Sequence, residues 1–124
     1  MNIKFRGKST INGEWVYGFL NYAVQEDQWY IGVMELMTPV YPETVGRFTG
    51  LKDDINKEIY EGDILKVWIF DRVEYESISV IWNTEFATFE LRATRNSLFY
   101  YIIHNFMNPF KVIGNIHENK ELIL

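Results

Sequence analysis

The sequence contains no cysteine. Disulfide stapling, thiolate nucleophiles and thiolate zinc ligands are therefore excluded, and a cytoplasmic setting is expected. Histidine is nearly as scarce. His104 and His117 are the only two, and neither lies in the His-Glu-x-x-His spacing that puts two zinc ligands on one helix face. Basic residues are in deficit, with 12 Lys and Arg against 17 Asp and Glu and a formal net charge of -5. Such a balance argues against broad, phosphate-driven nucleic-acid binding, which draws its affinity from clustered cations releasing counterions. Long apolar runs are also missing. Nowhere do about 18 consecutive apolar residues occur, and Met1 to Lys8 is basic without the apolar stretch a signal peptide needs. A soluble, intracellular protein without a membrane partner is expected. No Gly-rich phosphate loop of the G-x-x-x-x-G-K-[ST] or G-x-G-x-x-G type is present, so nucleotide-driven chemistry has no support.

The chain of 124 residues is 48% hydrophobic and 17% aromatic. That is enough to bury one core without cross-links, and the aromatic and β-branched content favours strands over a helical bundle. A mostly β single domain, 1–124, is expected, built of antiparallel hairpins with at most one or two short helices. An N-terminal hairpin region covers about 1–43 and a central hairpin region about 44–124.

The first hairpin is predicted near residues 4 to 23. Phe5 alternates with Lys4 and Arg6, and Asn12-Gly13 is a two-residue turn signal before Glu14 to Leu20. If the first arm is a strand, Lys4, Arg6 and Lys8 share one face. Gln25 to Gln28 makes the next turn and Trp29 to Met34 the next strand, while Pro39 and Pro42 demote residues 37 to 43 to a loop or an edge. The organising segment is Arg47 to Leu65. Lys52 to Lys57 is rich in the Asp and Asn side chains that bond their own backbone in tight turns, and Gly62-Asp63 bends the chain before it re-enters a sheet. A faint echo links Phe5-x-Gly7 and Glu14 to Gly18 with Phe48-x-Gly50 and Glu58 to Gly62. Further strands are predicted from Ile64 to Phe70, Tyr75 to Trp82, Ala87 to Ala93 and Phe110 to Ile116. Leu98 to Phe106, after a possible cap at Asn96-Ser97, fits a short helix or a buried strand. Trp15, Ile31, Phe48, Ile59, Ile64, Val67, Ile81 and Ile113 are the expected buried residues.

Three groups of side chains are candidates for chemistry. Glu58, Glu61 and Asp63 cluster around one bend, with Asp53 and Asp54 across the hairpin, and suit an acid-base pair or a hard-cation site. The plainer reading has Asp63 bonding backbone amides while Glu58 and Glu61 face water. His117 sits at a polar strand exit, where a structural histidine is the usual case. Trp15, Tyr17, Trp29 and Tyr30 offer a stacking platform of the kind found on single-strand-binding barrels, although core packing accounts for most such rings. No catalytic residue, cofactor or metal is assigned.

Four blocks together resemble the YopX family of bacteriophage and prophage proteins. They are Lys4 to Lys8 with Gly13 to Gly18, Glu43 to Asp53, Lys57 to Ile64, and Val112 to Leu122. The resemblance runs nearly end to end, except that Val73 to Asn108 carries no family signature. It implies a small phage-encoded protein of the bacterial cytoplasm with a barrel-like part, and it implies no established activity. The amide usual at Arg47, the Asn-Gly-type turn near Ile55-Asn56 and the Pro common at Lys120 are replaced here, all on turns and surface. The functional expectation is a non-enzymatic accessory module that binds a host or phage protein. One alternative is a nucleic-acid-associated regulator using a small β-barrel face. Another is an enzyme with a carboxylate site at the Glu58–Asp63 bend. The aliphatic end Leu122-Ile123-Leu124 adds an expectation of homo-oligomers.

Overall fold

A computed structural model describes residues 3–68, 75–85, 87–93, 100–102 and 110–122. Among the described residues eleven strands carry the fold: β1 (Phe5–Lys8), β2 (Trp15–Ala23), β3 (Gln28–Val33), β4 (Leu36–Pro39), β5 (Gly46–Lys52), β6 (Glu58–Tyr60), β7 (Asp63–Trp68), β8 (Tyr75–Asn83), β9 (Thr88–Ala93), β10 (Tyr100–Ile102) and β11 (Phe110–Asn115). Among the described residues the only helical pieces are 3-10 turns at Pro42–Thr44 and Lys120–Leu122, and no helix is long and apolar enough to cross a membrane. The fold is mostly β, as the composition predicts. Of the ambiguous Leu98 to Phe106 run, Tyr100–Ile102 is strand. The rest of that run, the expected Asn96-Ser97 cap and residues 69–74 lie outside the described residues.

The strands form two antiparallel sheets, ordered β4-β3-β2-β1-β5-β6 and β10-β9-β8-β7-β11. The chain divides into two compact units, Met1–Phe48 and Thr49–Leu124. In each, four strands run as a meander and a fifth returns to pair with the first, so β7 to β11 repeat the order of β1 to β5. The strand lengths follow suit. β2 and β8 both have nine residues, β3 and β9 six. The repeat therefore aligns β1 with β7, not with β5 as the sequence echo has it.

In the first unit the chain turns at Asn12-Gly13, but through a longer loop than the two residues predicted, with Ser9 N–H donating to Glu14 O at 2.8 Å and Gly13 N–H to Ser9 O at 2.9 Å. Ser9 Oγ accepts the Ile11 N–H at 3.0 Å and Asn12 Oδ1 accepts the Glu14 N–H at 3.0 Å, which leaves Lys8 opposite Trp15 and Phe5 opposite Gly18. Where β2 passes from β1 to β3, two glycines meet. Gly18 has φ +147, and a Cβ there would lie 2.5 Å from the Gly32 carbonyl oxygen. A Cβ on Gly32 would collide with the Leu36 carbonyl oxygen in turn. Side chains are excluded from both positions, and the sheet can coil sharply there. The coil is barrel-like without closing into a full ring. A single bridge joins Ser9 to Val40, flanked by Thr10 N–H to Pro39 O at 2.9 Å and Tyr41 N–H to Lys8 O at 3.0 Å. Ile31 and Val40 are fully buried inside it.

β4 is an edge strand, as Pro39 and Pro42 imply. Val40 donates to Trp29 O, and hydrogen-bonded pairs alternate along an antiparallel ladder, so Pro39 faces outward. It has no N–H to offer, and Thr10 already occupies its carbonyl. This edge is closed to a further strand.

The second unit packs Ile59, Leu65 and Val80 against Leu51, Phe89 and Val112. Each fully buried aliphatic side chain contributes about 1.5–3 kcal/mol. Of the residues expected to be buried, Ile31, Phe48, Ile59 and Ile64 are. Trp15, Ile81 and Ile113 are half-buried instead, each for a positional reason. Trp15 shares the outward side of β2 with Tyr17 and Phe19. Ile81 points away from buried Val80. Ile113 sits where the β7–β11 register slips between Val112 and Gly114. The side chain of Val67 is outside the described set.

Candidate interaction surface

The Glu58–Asp63 bend does not gather its carboxylates into a site. Asp63 is 1% exposed, so it is not a surface residue, and its Oδ2 accepts the Tyr60 N–H at 2.8 Å. Glu58 and Glu61 are half-buried, and Glu58 Oε1 accepts the Tyr60 hydroxyl at 3.2 Å. Among the described residues no three His, Asp or Glu side chains lie close enough to hold a metal ion. The bend is fastened by its backbone, through Gly62 N–H to Val80 O at 2.9 Å and Ile116 N–H to Gly62 O at 2.8 Å.

Asp53, across the hairpin, is also 1% exposed. Its Oδ1 accepts the N–H groups of Ile55 at 3.0 Å and Lys57 at 2.8 Å, closing the turn in which Asn56 takes φ +69. Its Oδ2 accepts the Val112 N–H at 3.1 Å from β11. Asp53 and Asp63 thus perform one task. Each caps an N–H on a strand at the end of a sheet, β11 and β6 respectively, with a buried carboxylate. Backbone bonding by these Asp side chains is expected from the sequence, but their burial and the reach of Asp53 to β11 are not.

His117 lies half-buried in the loop after β11. Asn115 Oδ1 accepts the N–H groups of His117 and Glu118 at 3.0 and 2.9 Å, and Asn119 Oδ1 accepts the Asn115 N–H at 3.1 Å. The two asparagines hold the loop in shape by ordinary Asx-type bonding. Leu122 ends the last 3-10 turn, and Ile123 and Leu124 are outside the described residues.

The basic and aromatic residues are brought together in part. Lys4, Arg6 and Lys8 do share a face, and they stack on rings of the same unit. Lys4 Nζ is 5.3 Å from the Phe48 ring centre, while Arg6 Cζ and Lys8 Nζ are 4.6 and 5.8 Å from that of Trp15. The expected four-ring platform is split by register. Trp15, Tyr17 and Tyr30 lie on the outward side of the β2–β3 ladder, whereas Trp29 pairs with Tyr22 on the other. Phe19, absent from that expected set, joins the outward side opposite Gly32. Tyr17 is 49% and Phe19 63% exposed. With Asn21, Tyr30, Met37 and Pro39 they make a strip on β2, β3 and β4 whose own residues are uncharged, bordered by Arg6 opposite Tyr17 and by Glu26 against the Tyr30 hydroxyl.

A family model described as YopX protein matches residues 4–124. The chain belongs to the YopX family. Among solved structures, the crystal structure of protein EF1440 from Enterococcus faecalis is similar to this YopX-family chain. The two share 21% identity over 100% of this chain and 99% of that one, with a TM-score of 0.60. At that identity the likeness concerns the fold alone. No curated protein matches the chain.

The β2–β3 turn adds a measurable electrostatic feature to this YopX-family fold. The Tyr22 hydroxyl donates to Asp27 and the Tyr30 hydroxyl to Glu26. These bonds, then desolvation, then the nearby negative charge, raise both phenol pKa values above the ordinary 10.0. A folded-state pKa above the unfolded one means the stabilisation is full below about pH 10 and fades as the pH rises through the folded value. In a spectrophotometric titration two tyrosines will ionise late. Asp27→Asn will bring the first back toward the ordinary midpoint, and Glu26→Gln the second. Unchanged curves in both variants would contradict the assignment.

Proposed function

We propose that this YopX-family chain is a non-enzymatic accessory module that binds a protein through the outward strip of β2, β3 and β4. The supporting observation is Tyr17 and Phe19, two large rings left mostly or half in water on a strip whose own residues are uncharged. Aromatic enrichment and charge depletion are what separate the centre of a protein interface from ordinary surface. The proposed setting is the cytoplasm of a bacterium carrying the phage or prophage, in keeping with the cysteine-free composition. The nucleic-acid reading is less well supported. Its cations are stacked on Trp15 and Phe48, and Arg6 and Phe48 are buried.

The test is recovery of a stoichiometric protein from host cells by the wild-type chain and by a Tyr17→Ser, Phe19→Ser double variant with an unchanged circular dichroism spectrum. The variant will lose about tenfold or more of the recovered protein, since aromatic anchors at interface centres are worth 2 kcal/mol or more each on the order of. Equal recovery by both proteins, or recovery abolished by nuclease, would sink the proposal.

A further inference from the structure

We propose that the β2–β3 end of the first unit receives a basic polypeptide segment, a Lys or Arg side chain of which packs over the Tyr22–Trp29 rings beside the Asp27 carboxylate, with Glu26 on the same turn adding its charge. This rests on the protein-binding reading above and names the chemistry of the partner. Residues 9–46 contain Glu14, Glu26, Asp27, Glu35 and Glu43 and not one Lys or Arg. A whole meander of three strands and their turns is therefore acidic without internal compensation, although the full chain carries 12 basic residues. Charges of one sign over a face raise the local concentration and on-rate of a partner of the opposite sign.

The rings and carboxylates converge at one end of that meander. Tyr22 and Trp29 are direct cross-strand partners, their ring centres 4.7 Å apart and their planes tilted by 43°. Tyr22 is 36% exposed and Trp29 half-buried. Next to them the turn is closed by Glu26 N–H to Ala23 O at 3.2 Å and Asp27 N–H to Val24 O at 3.3 Å, with Asp27 at φ +50. The Tyr22 hydroxyl then holds the exposed Asp27 carboxylate on the side of these rings, and the Tyr30 hydroxyl holds Glu26 at the same turn from the other side of the ladder. Side chains already fixed before binding cost less entropy when a ligand arrives.

An aromatic face attracts a cation through its quadrupole, indole most strongly, and a carboxylate at the ring edge adds a charge-assisted hydrogen bond. The same site repels phosphate. The unit's own cations do not fill it, since Arg6 and Lys8 stack on Trp15 on the other side of the ladder. A nucleic acid would meet the Glu26 and Asp27 carboxylates at the same turn.

The experiment uses the full chain and a fluorescein-labelled oligo-arginine peptide, read by anisotropy at low salt. Saturable binding that weakens as salt rises is expected. Glu26→Gln with Asp27→Asn will weaken it by about tenfold, and Trp29→Ala by a similar factor. Trp29→Phe, which keeps a ring if Trp29→Ala fails to fold, will retain most of the affinity. No saturable binding overturns the inference, as do equal affinities of wild type and charge variant, or tighter binding of an oligothymidylate than of the peptide. The two readings fail separately. If the Tyr17, Phe19 variant loses its recovered protein while Glu26→Gln with Asp27→Asn keeps it and binds oligo-arginine as wild type does, protein binding stands and the basic partner falls.

Discussion

Asp53→Ala will lower the unfolding free energy by about 3–5 kcal/mol in a urea titration, far more than a substitution in a polar turn ordinarily costs. The carboxylate accepts three backbone N–H groups, two within its own turn and one from β11. Hydrogen bonds to a charged acceptor contribute about 1.5–3 kcal/mol each, and those of one group are not additive, so the total falls below their sum. Asp53→Asn separates the two roles. An amide oxygen in the Oδ1 position still serves Ile55 and Lys57, but the –NH2 group then faces the Val112 N–H, donor against donor. That variant will lose about 1–3 kcal/mol. If Asp53→Ala costs under about 0.5 kcal/mol, the level of an unremarkable surface change, the capping role is refuted.

Gly32→Ala is the second large effect. One added methyl group will cost about 3 kcal/mol or more, because the atom it would strike is the Leu36 carbonyl oxygen and not the mobile end of a side chain. Relief requires moving β3 away from β4, in a hairpin where Val33 faces Leu36 across a two-residue turn. That movement carries β3 toward β2, where the Gly32 carbonyl already lies against Gly18. Gly50→Ala is the control. It has φ +88 with no atom within 4 Å of its Cβ position, so it carries the left-handed backbone penalty of about 1 kcal/mol and no collision. Equal losses at the two sites would show that backbone strain, not crowding, sets the cost at Gly32.

Local chemistry explains which features were readable from the residues. Asn12-Gly13 marks the first turn, alternation puts Lys4, Arg6 and Lys8 on one face, and the two prolines mark β4 as an edge. Each of these depends on neighbours a few positions away. The pairing of Trp29 with Tyr22, away from Trp15 and Tyr17, depends on register, and a one-residue slip would reverse it. The burial of Asp53 depends on Val112, which lies 59 positions along the chain. At the Glu58–Asp63 bend the backbone bonding of Asp63 is what the plainer reading expects, whereas its burial at 1% exposure depends on the packing around it. The apolar strip was only half visible, since Phe19 reads as core until the sheet shows which side it faces.

The repeated strand order has a consequence for how the protein is made. In each unit the first strand waits for the fifth, so β1 has one free side until Gly46 and Arg47 arrive, and β7 until Phe110 to Asn115 do. Long-range closure of this kind is slow compared with forming a neighbouring hairpin. On a ribosome adding about 5–20 residues per second, the first unit can complete its pairing while the second is still being synthesised. For that interval the unsatisfied edge is on β7, in a chain that keeps its later edges covered with Asp53 and Asp63. Nascent second units on neighbouring ribosomes are thus the point at which crowded synthesis would most readily join two chains in error.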